Sequence, residues 1–190
     1  MTALIGFVFL GLFSPGPNVI LLTTSGARFG FLATLPHLLG VALGVGFIAF
    51  FTGLGLAKLI EVFPILRNVL MTIASLWILW MAWKLWCAKQ VQAYDTDRPF
   101  TFIQAILFQW LNPKIWAIAT SASVMITDMS VIAQAATLAI TFSATNLFVC
   151  LFWTYAGSLL KNILADAFKW RIFMRLMAVA LAAFSGLVFL

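Results

Sequence analysis

Two short stretches of this 190-residue chain set proline, asparagine and a charge inside otherwise apolar sequence: Ser14-Pro15-Gly16-Pro17-Asn18 and Asn112-Pro113-Lys114. Proline lacks a backbone donor and clashes with the preceding turn, so a helix running through either stretch breaks there. Each break frees N–H and C=O groups, which in hydrocarbon must face protein, water or a ligand. A half-helix that restarts after the break turns its positive dipole end toward the gap and suits a carboxylate, while loosened carbonyls suit an ammonium group. An amino acid presents both charges. The candidate binding residues are therefore Pro15, Gly16, Pro17 and Asn18 at the first break and Asn112, Pro113 and Lys114 at the second, with Gln109 just before it and Asn146 from a later apolar run. A plain kink repaired by neighbouring helices explains one break alone; two matched breaks point to a site.

Lys114 is the only basic residue deep in an apolar run. A bare ammonium there is costly unless it snorkels or pairs, so it needs a partner. Two roles are open: it meets a substrate carboxylate or balances charge during transport, or it bonds carbonyls freed at the break and holds the bend. His37, the sole histidine, follows Pro36 and shares a helix face with Gly40 and Gly44. Glycines at such spacing allow close helix approach. His37 is then either part of a packing face, hydrogen-bonded near a helix end, or a proton relay using an imidazole that titrates near neutrality.

The elements that must position these residues follow from composition. Hydrophobic residues make up 64% of the chain and charged residues 8%, against roughly 45 to 50% and about 25% in soluble domains. A water-soluble fold of this size cannot hide so much apolar surface, and lipid is the consistent solvent. Apolar runs between breakers give six spans, at 3–24, 31–56, 64–86, 100–126, 131–160 and 172–190. The apolar start lacks Lys and Arg and runs into the first break rather than a small-residue cleavage site, so it reads as a retained helix and not a signal peptide. Cys87 and Cys150 read as apolar filler, with no disulfide framework.

The odd-numbered connections and their helix ends carry Arg28, Lys84, Lys89, Arg98, Lys161, Lys169, Arg171 and Arg175, whereas the second carries Lys58 and Arg67 and the fourth none. This places the odd connections in the cytoplasm and both termini outside. The net charge of +6 is explained by topology and the anionic inner leaflet, without nucleic acid. The polar stretch 89–99 divides one transmembrane domain, 1–190, into halves of about 1–88 and 100–190. Three helices per half means that the second half enters from the opposite side. The expected fold is an all-α membrane protein of six transmembrane helices, arranged as two inverted three-helix repeats with helices 1 and 4 broken.

The residues Ser14-Pro15-Gly16-Pro17-Asn18, His37, Gly40 and Gly44, Ala82-Trp83-Lys84 and Gln109-Trp110-Leu111-Asn112-Pro113-Lys114 resemble the lysine-exporter family, whose other large branch is the homoserine and threonine resistance exporters. The resemblance covers nearly the whole length. It implies efflux of amino acids or close derivatives across the bacterial inner membrane, driven by the proton motive force, through a six-helix inverted-repeat fold that forms a homodimer. It also implies that both proline motifs line the central pathway. Gln109-Trp110 is similar to the cysteine and O-acetylserine exporters of the family. The chain departs from relatives at Met71, Ala74 and Ala178, where Lys or Gly is common.

Glu61, Asp95, Asp97, Asp128 and Asp166 all fall in connections, and no carboxylate lies inside a span. A cationic cargo side chain wants a carboxylate partner, so lysine and arginine are disfavoured. The remaining polar groups, Thr137, Thr141, Thr145 and Asn146 in the fifth span and Gln104, Gln109, Thr120 and Ser121 in the fourth, suit a small neutral zwitterion or serve as hydrogen-bond glue between helices. Trp77, Trp80, Trp83 and Trp86 read as interfacial anchors in their lower part and as a packing, dimer or lipid surface above. No cofactor is implied. An intramembrane hydrolase built on Ser25 and His37 lacks an orienting carboxylate, places Ser25 near a loop and offers no metal motif. A passive channel or a membrane assembly subunit is the remaining rival, separated from an exporter by sensitivity to uncouplers.

Overall fold

The structure, a computed structural model, describes residues 1–14, 16–56, 62–88, 98–126, 128–160 and 163–187. Among these are eight α-helices and no strand. They are α1 (Thr2–Phe13), α2 (Pro17–Phe29), α3 (Phe31–Gly53), α4 (Pro64–Trp86), α5 (Phe102–Trp110), α6 (Pro113–Ser123), α7 (Val131–Leu159) and α8 (Ala167–Leu187).

Both expected breaks are present. α1 and α2 meet at a bend of 58°, and α5 stops before Asn112 while α6 restarts on Pro113. The restart has the same form twice: proline is the first helical residue of α2 and of α6, where its missing N–H costs nothing. Gly16 and Asn112 are the two N-caps, so Asn18 and Lys114 occupy the same position on their half-helices.

α3 and α7 are each long and apolar enough to cross a membrane, and α1 with α2 qualifies as a third, bent crossing. At 1.5 Å per residue the 23 residues of α3 and the 29 of α7 run about 34 Å and about 43 Å, against a hydrocarbon core of about 30 Å.

The packing is reciprocal. α3 and α7 lie against each other as the centre of the bundle, and α4 and α8 pair at its side. The broken α1–α2 packs on α7, and the broken α5–α6 packs on α3. Glycines let these backbones close in. A side chain at Gly40 or Gly44 runs into α5, one at Gly46 or Gly53 into α7, and one at Gly26 of α2 into the Thr154 carbonyl of α7. α4 and α8 are tied by Ser75 and Ser185, each hydroxyl donating to the other's carbonyl at 3.4 and 3.1 Å. Ala74 and Ala178, two of the departures from relatives, are both buried. Trp77, Trp80, Trp83 and Trp86 are all exposed, with Lys84 over the Trp80 ring and Arg175 over Trp86.

Two boundaries differ most from the sequence reading. α8 starts at Ala167, not 172, because the Asp166 carboxylate accepts from the N–H groups of Phe168 and Lys169 at 3.0 and 2.9 Å. α2 runs on to Phe29, and only Gly30, at a φ of 89°, turns the chain into α3; that left-handed geometry suits glycine. Ser25 is therefore inside a helix and not near a loop. It is buried, with its hydroxyl 3.1 Å from that of Thr34. The charged residues Lys58, Glu61, Lys89, Asp95, Asp97 and Lys161, with most of the 89–99 linker, lie outside the described residues.

Candidate functional site

The two breaks meet. The Lys114 ammonium, from the first turn of α6, donates to the Ser14 carbonyl at the end of α1. Its stem lies directly over Gly16, where a Cβ comes within 2.8 Å of Lys114 Cδ. One turn away, Asn18 and Gln109 form a reciprocal amide pair: Asn18 Nδ2 donates to Gln109 Oε1 at 2.8 Å, and Gln109 Nε2 donates back to Asn18 Oδ1 at 3.2 Å. Gln109 is fully buried and also donates to the Ala105 carbonyl at 2.9 Å. Residues far apart in sequence thus join one break to the other through two separate links.

Local chemistry repairs each break. Gly11 C=O has no helical donor because residue 15 is proline, and the Ser14 hydroxyl donates to it at 2.8 Å. At the second break, Gln109 C=O faces Pro113, which has no N–H, and accepts instead from the Asn112 N–H at 3.1 Å. The Trp116 indole donates to the neighbouring Trp110 carbonyl at 3.1 Å. Each bend thus has repairs of its own, and the Lys114 bond to Ser14 runs across to the opposite break.

Between the breaks lies a small cavity of about 10 Å³, room for roughly one water molecule. Gly16, Asn18, Asn112 and Lys114 line one side. Asn146, Val149, Cys150 and Trp153 line the other. They recur at helical spacing, so one face of α7 forms that wall. Leu12, Val19, Leu22 and Ile115 complete the lining, and none of the lining residues is acidic. Asn112 is completely buried, yet neither its side-chain oxygen nor its nitrogen has a hydrogen-bond partner among the described residues. Buried amides left in this state cost free energy until something pairs with them. Asn146 donates to the Val41 carbonyl at a long 3.4 Å.

Of the residues singled out from sequence, Gly16, Asn18, Asn112, Lys114 and Asn146 line the cavity. Gln109 stands behind it as the partner of Asn18, and Pro17 and Pro113 open the two half-helices. Pro15 lies outside the described residues. His37 is not in the lining. It is buried between α3 and the approach to α5, its ring tilted against that of Phe100 with centroids 5.2 Å apart, and neither ring nitrogen has a hydrogen-bond partner among the described residues. The hydrogen bond expected for it is thus not made among the described residues. Gln104 completes a capping box with Thr101 at the start of α5, and the Thr137 hydroxyl points to Met129; neither lines the cavity. Trp153 and Leu22 are in the lining although the sequence reading passed over them, and so is Cys150, which reads as apolar filler away from the breaks in sequence but is brought beside them by the packing of α7. Helical spacing from Asn146 is the signal that marks Cys150 and Trp153.

Apolar helices long enough to cross a bilayer, with two proline-broken helices meeting at a cavity that holds a few polar side chains, are the features of an α-helical membrane transporter. The chain matches the LysE type translocator family over residues 9–190 and belongs to that family. Its members are transporters rather than enzymes, and membership implies export of amino acids or related compounds. No curated protein and no solved structure matches the chain.

Proposed function

We propose that this protein exports small neutral amino acids across the bacterial inner membrane, driven by the proton motive force, and that the junction of the two breaks is its cargo site. The observation that carries this reading is the Lys114 bridge to Ser14 beside the unpaired Asn112 amide. Two half-helices begin at this point, so two positive dipole ends and one ammonium converge where no lining residue is acidic. Such a place favours a carboxylate strongly. A cargo carboxylate takes Lys114 from the Ser14 carbonyl, and the Asn112 and Asn18 oxygens accept from the cargo ammonium. A second positive charge on the cargo finds no partner, which supports a neutral side chain.

Six crossings in two inverted halves fit the reciprocal packing, in which each broken helix lies on the second helix of the other half. In this conformation the cavity is closed to anything larger than about one water, as expected of a gated carrier and not of an open channel. Full-length protein in proteoliposomes loaded with labelled neutral, acidic and basic amino acids tests the reading. Efflux of small neutral species that is concentrative under an imposed proton gradient and collapses with uncoupler is expected. Efflux that runs only downhill and ignores the gradient overturns the carrier mechanism in favour of a channel.

A further inference from the structure

The proposed cargo site leaves one wall unexplained, the α7 face of Asn146, Val149, Cys150 and Trp153. Trp153 packs against Phe13 and Phe152, with ring centroids 5.3 and 5.5 Å away. Its indole nitrogen is buried without a hydrogen-bond partner among the described residues. Both aromatic neighbours offer only ring faces, which accept weakly. Around it, Leu12, Leu22 and Val149 give the cavity an aliphatic lining. Trp153 as a whole is only partly buried, but a buried indole N–H ordinarily finds a partner, and this one has none among the described residues.

We infer that Trp153 is a specificity-determining residue: its indole N–H reads the cargo side chain and selects one that carries a hydrogen-bond acceptor close to Cα. The inference rests on the cargo reading above and deepens it. With carboxylate and ammonium held by Lys114 and the asparagines at the breaks, the cargo side chain is the part left to face α7. Indole nitrogen donates and cannot accept. A hydroxyl or carbonyl side chain pairs with it, an aliphatic one leaves it unsatisfied, and an ammonium side chain sets donor against donor. Sites that hydrogen-bond a substrate group reject the analogue lacking it more strongly than apolar pockets reject an added group. One unsatisfied buried donor amounts to about tenfold in relative rate.

Threonine and valine test this, being nearly the same shape and differing by a hydroxyl. Wild-type protein in proteoliposomes is expected to move threonine about tenfold faster than valine, and unlabelled threonine is expected to compete with labelled threonine about tenfold better than valine does. Trp153→Phe keeps a ring and removes the donor, and should bring the threonine-to-valine ratio to near one. Equal handling of the two by wild-type protein overturns the inference while leaving the exporter reading standing, and needs no variant to fold. A ratio unchanged in Trp153→Phe likewise overturns it. Transport of neither amino acid, nor of any other neutral one, overturns the exporter reading and the inference with it.

Discussion

Gly44 controls how closely α3 approaches α5, and through that contact it holds the site together. A Cβ at Gly44 comes 2.7 Å from Gln109 Cγ and 2.9 Å from Ile106 Cα. The first neighbour is a side chain that can turn; the second is backbone, so α5 itself must retreat. Reaching the 3.4 Å of ordinary contact from Ile106 takes a shift of about 0.5 Å, within the range where overpacking costs about 1–3 kcal/mol. A shift of that size away from Asn18 stretches the paired bonds of 2.8 and 3.2 Å to about 3.3 and about 3.7 Å, so the longer of the two is lost and the shorter weakened. Interhelical bonds in membranes contribute about 0.6 kcal/mol each. Less the helix-propensity gain of alanine, up to about 1 kcal/mol, these give a net loss of about 1–3 kcal/mol for Gly44→Ala.

Gly6→Ala is the control, since a Cβ there meets nothing within 4 Å and alanine gains up to about 1 kcal/mol in helix propensity. Unfolding in detergent can be followed by the reaction of buried Cys150 with a thiol dye, in a Cys87→Ser background that removes the exposed cysteine. A double-mutant cycle with Gln109→Ala adds a second check. That change deletes the Cγ contact and the amide pair, so Gly44→Ala should cost about 1 kcal/mol less in its presence. A Gly44→Ala protein within about 0.5 kcal/mol of wild type, or strict additivity with Gln109→Ala, refutes the close α3–α5 approach and its link to the site.

Other expectations follow from the same geometry. Lys114→Met should drop cargo efflux at least about tenfold at unchanged membrane abundance, because a charge-assisted bond is lost, and Lys114→Arg should retain part of it; full efflux in both removes Lys114 from the mechanism. His37→Gln should leave the pH profile of efflux in place, since His37 is sealed on Phe100 and lies outside the cavity lining; a flattened profile makes it the relay instead. Cys150 is 1% exposed in this closed form, so in Cys87→Ser protein its labelling by a small thiol reagent should be slow at rest and faster during turnover. Equal rates in both conditions place Cys150 away from the moving pathway.

The breaks were legible in the sequence because proline acts on its own backbone: the missing donor at Pro17 and Pro113 needs no tertiary context to end one helix and start another. The lengths of α3, α4 and α7 were legible for a similar reason, since apolar runs bounded by glycine, proline or polar residues report their own extent. Helix ends that depend on a single side chain were not. Asp166 reads as one more connection residue until its carboxylate is seen over the first turn of α8. Contacts across the bundle were least legible. Nothing in the local pattern joins Asn18 to Gln109, and Trp153 is marked only by its helical spacing from Asn146; α7 does not segregate its polar and apolar residues to opposite faces, so its inward face appears only when its neighbours are placed.

The closed junction also suggests why cargo, and not thermal motion alone, would open it. Lys114 rests on a carbonyl, which carries only partial negative charge, beside two helix ends of the same sign as its own. The Ser14 carbonyl stands at the C-terminal end of α1, whose partial negative charge offsets part of that repulsion. A carboxylate arriving at the same point brings a full negative charge to all three positive partners, and charge-assisted bonds are roughly twice as strong as neutral ones. The gain depends on Lys114 leaving Ser14, the contact that joins α1 to α6. In the proposed exporter, cargo therefore binds the opened junction better than the closed one, and a ligand shifts a conformational equilibrium only by such a difference in affinity. The Asn18–Gln109 pair is neutral and can exchange its partners at smaller cost, so the second link yields once the first is released.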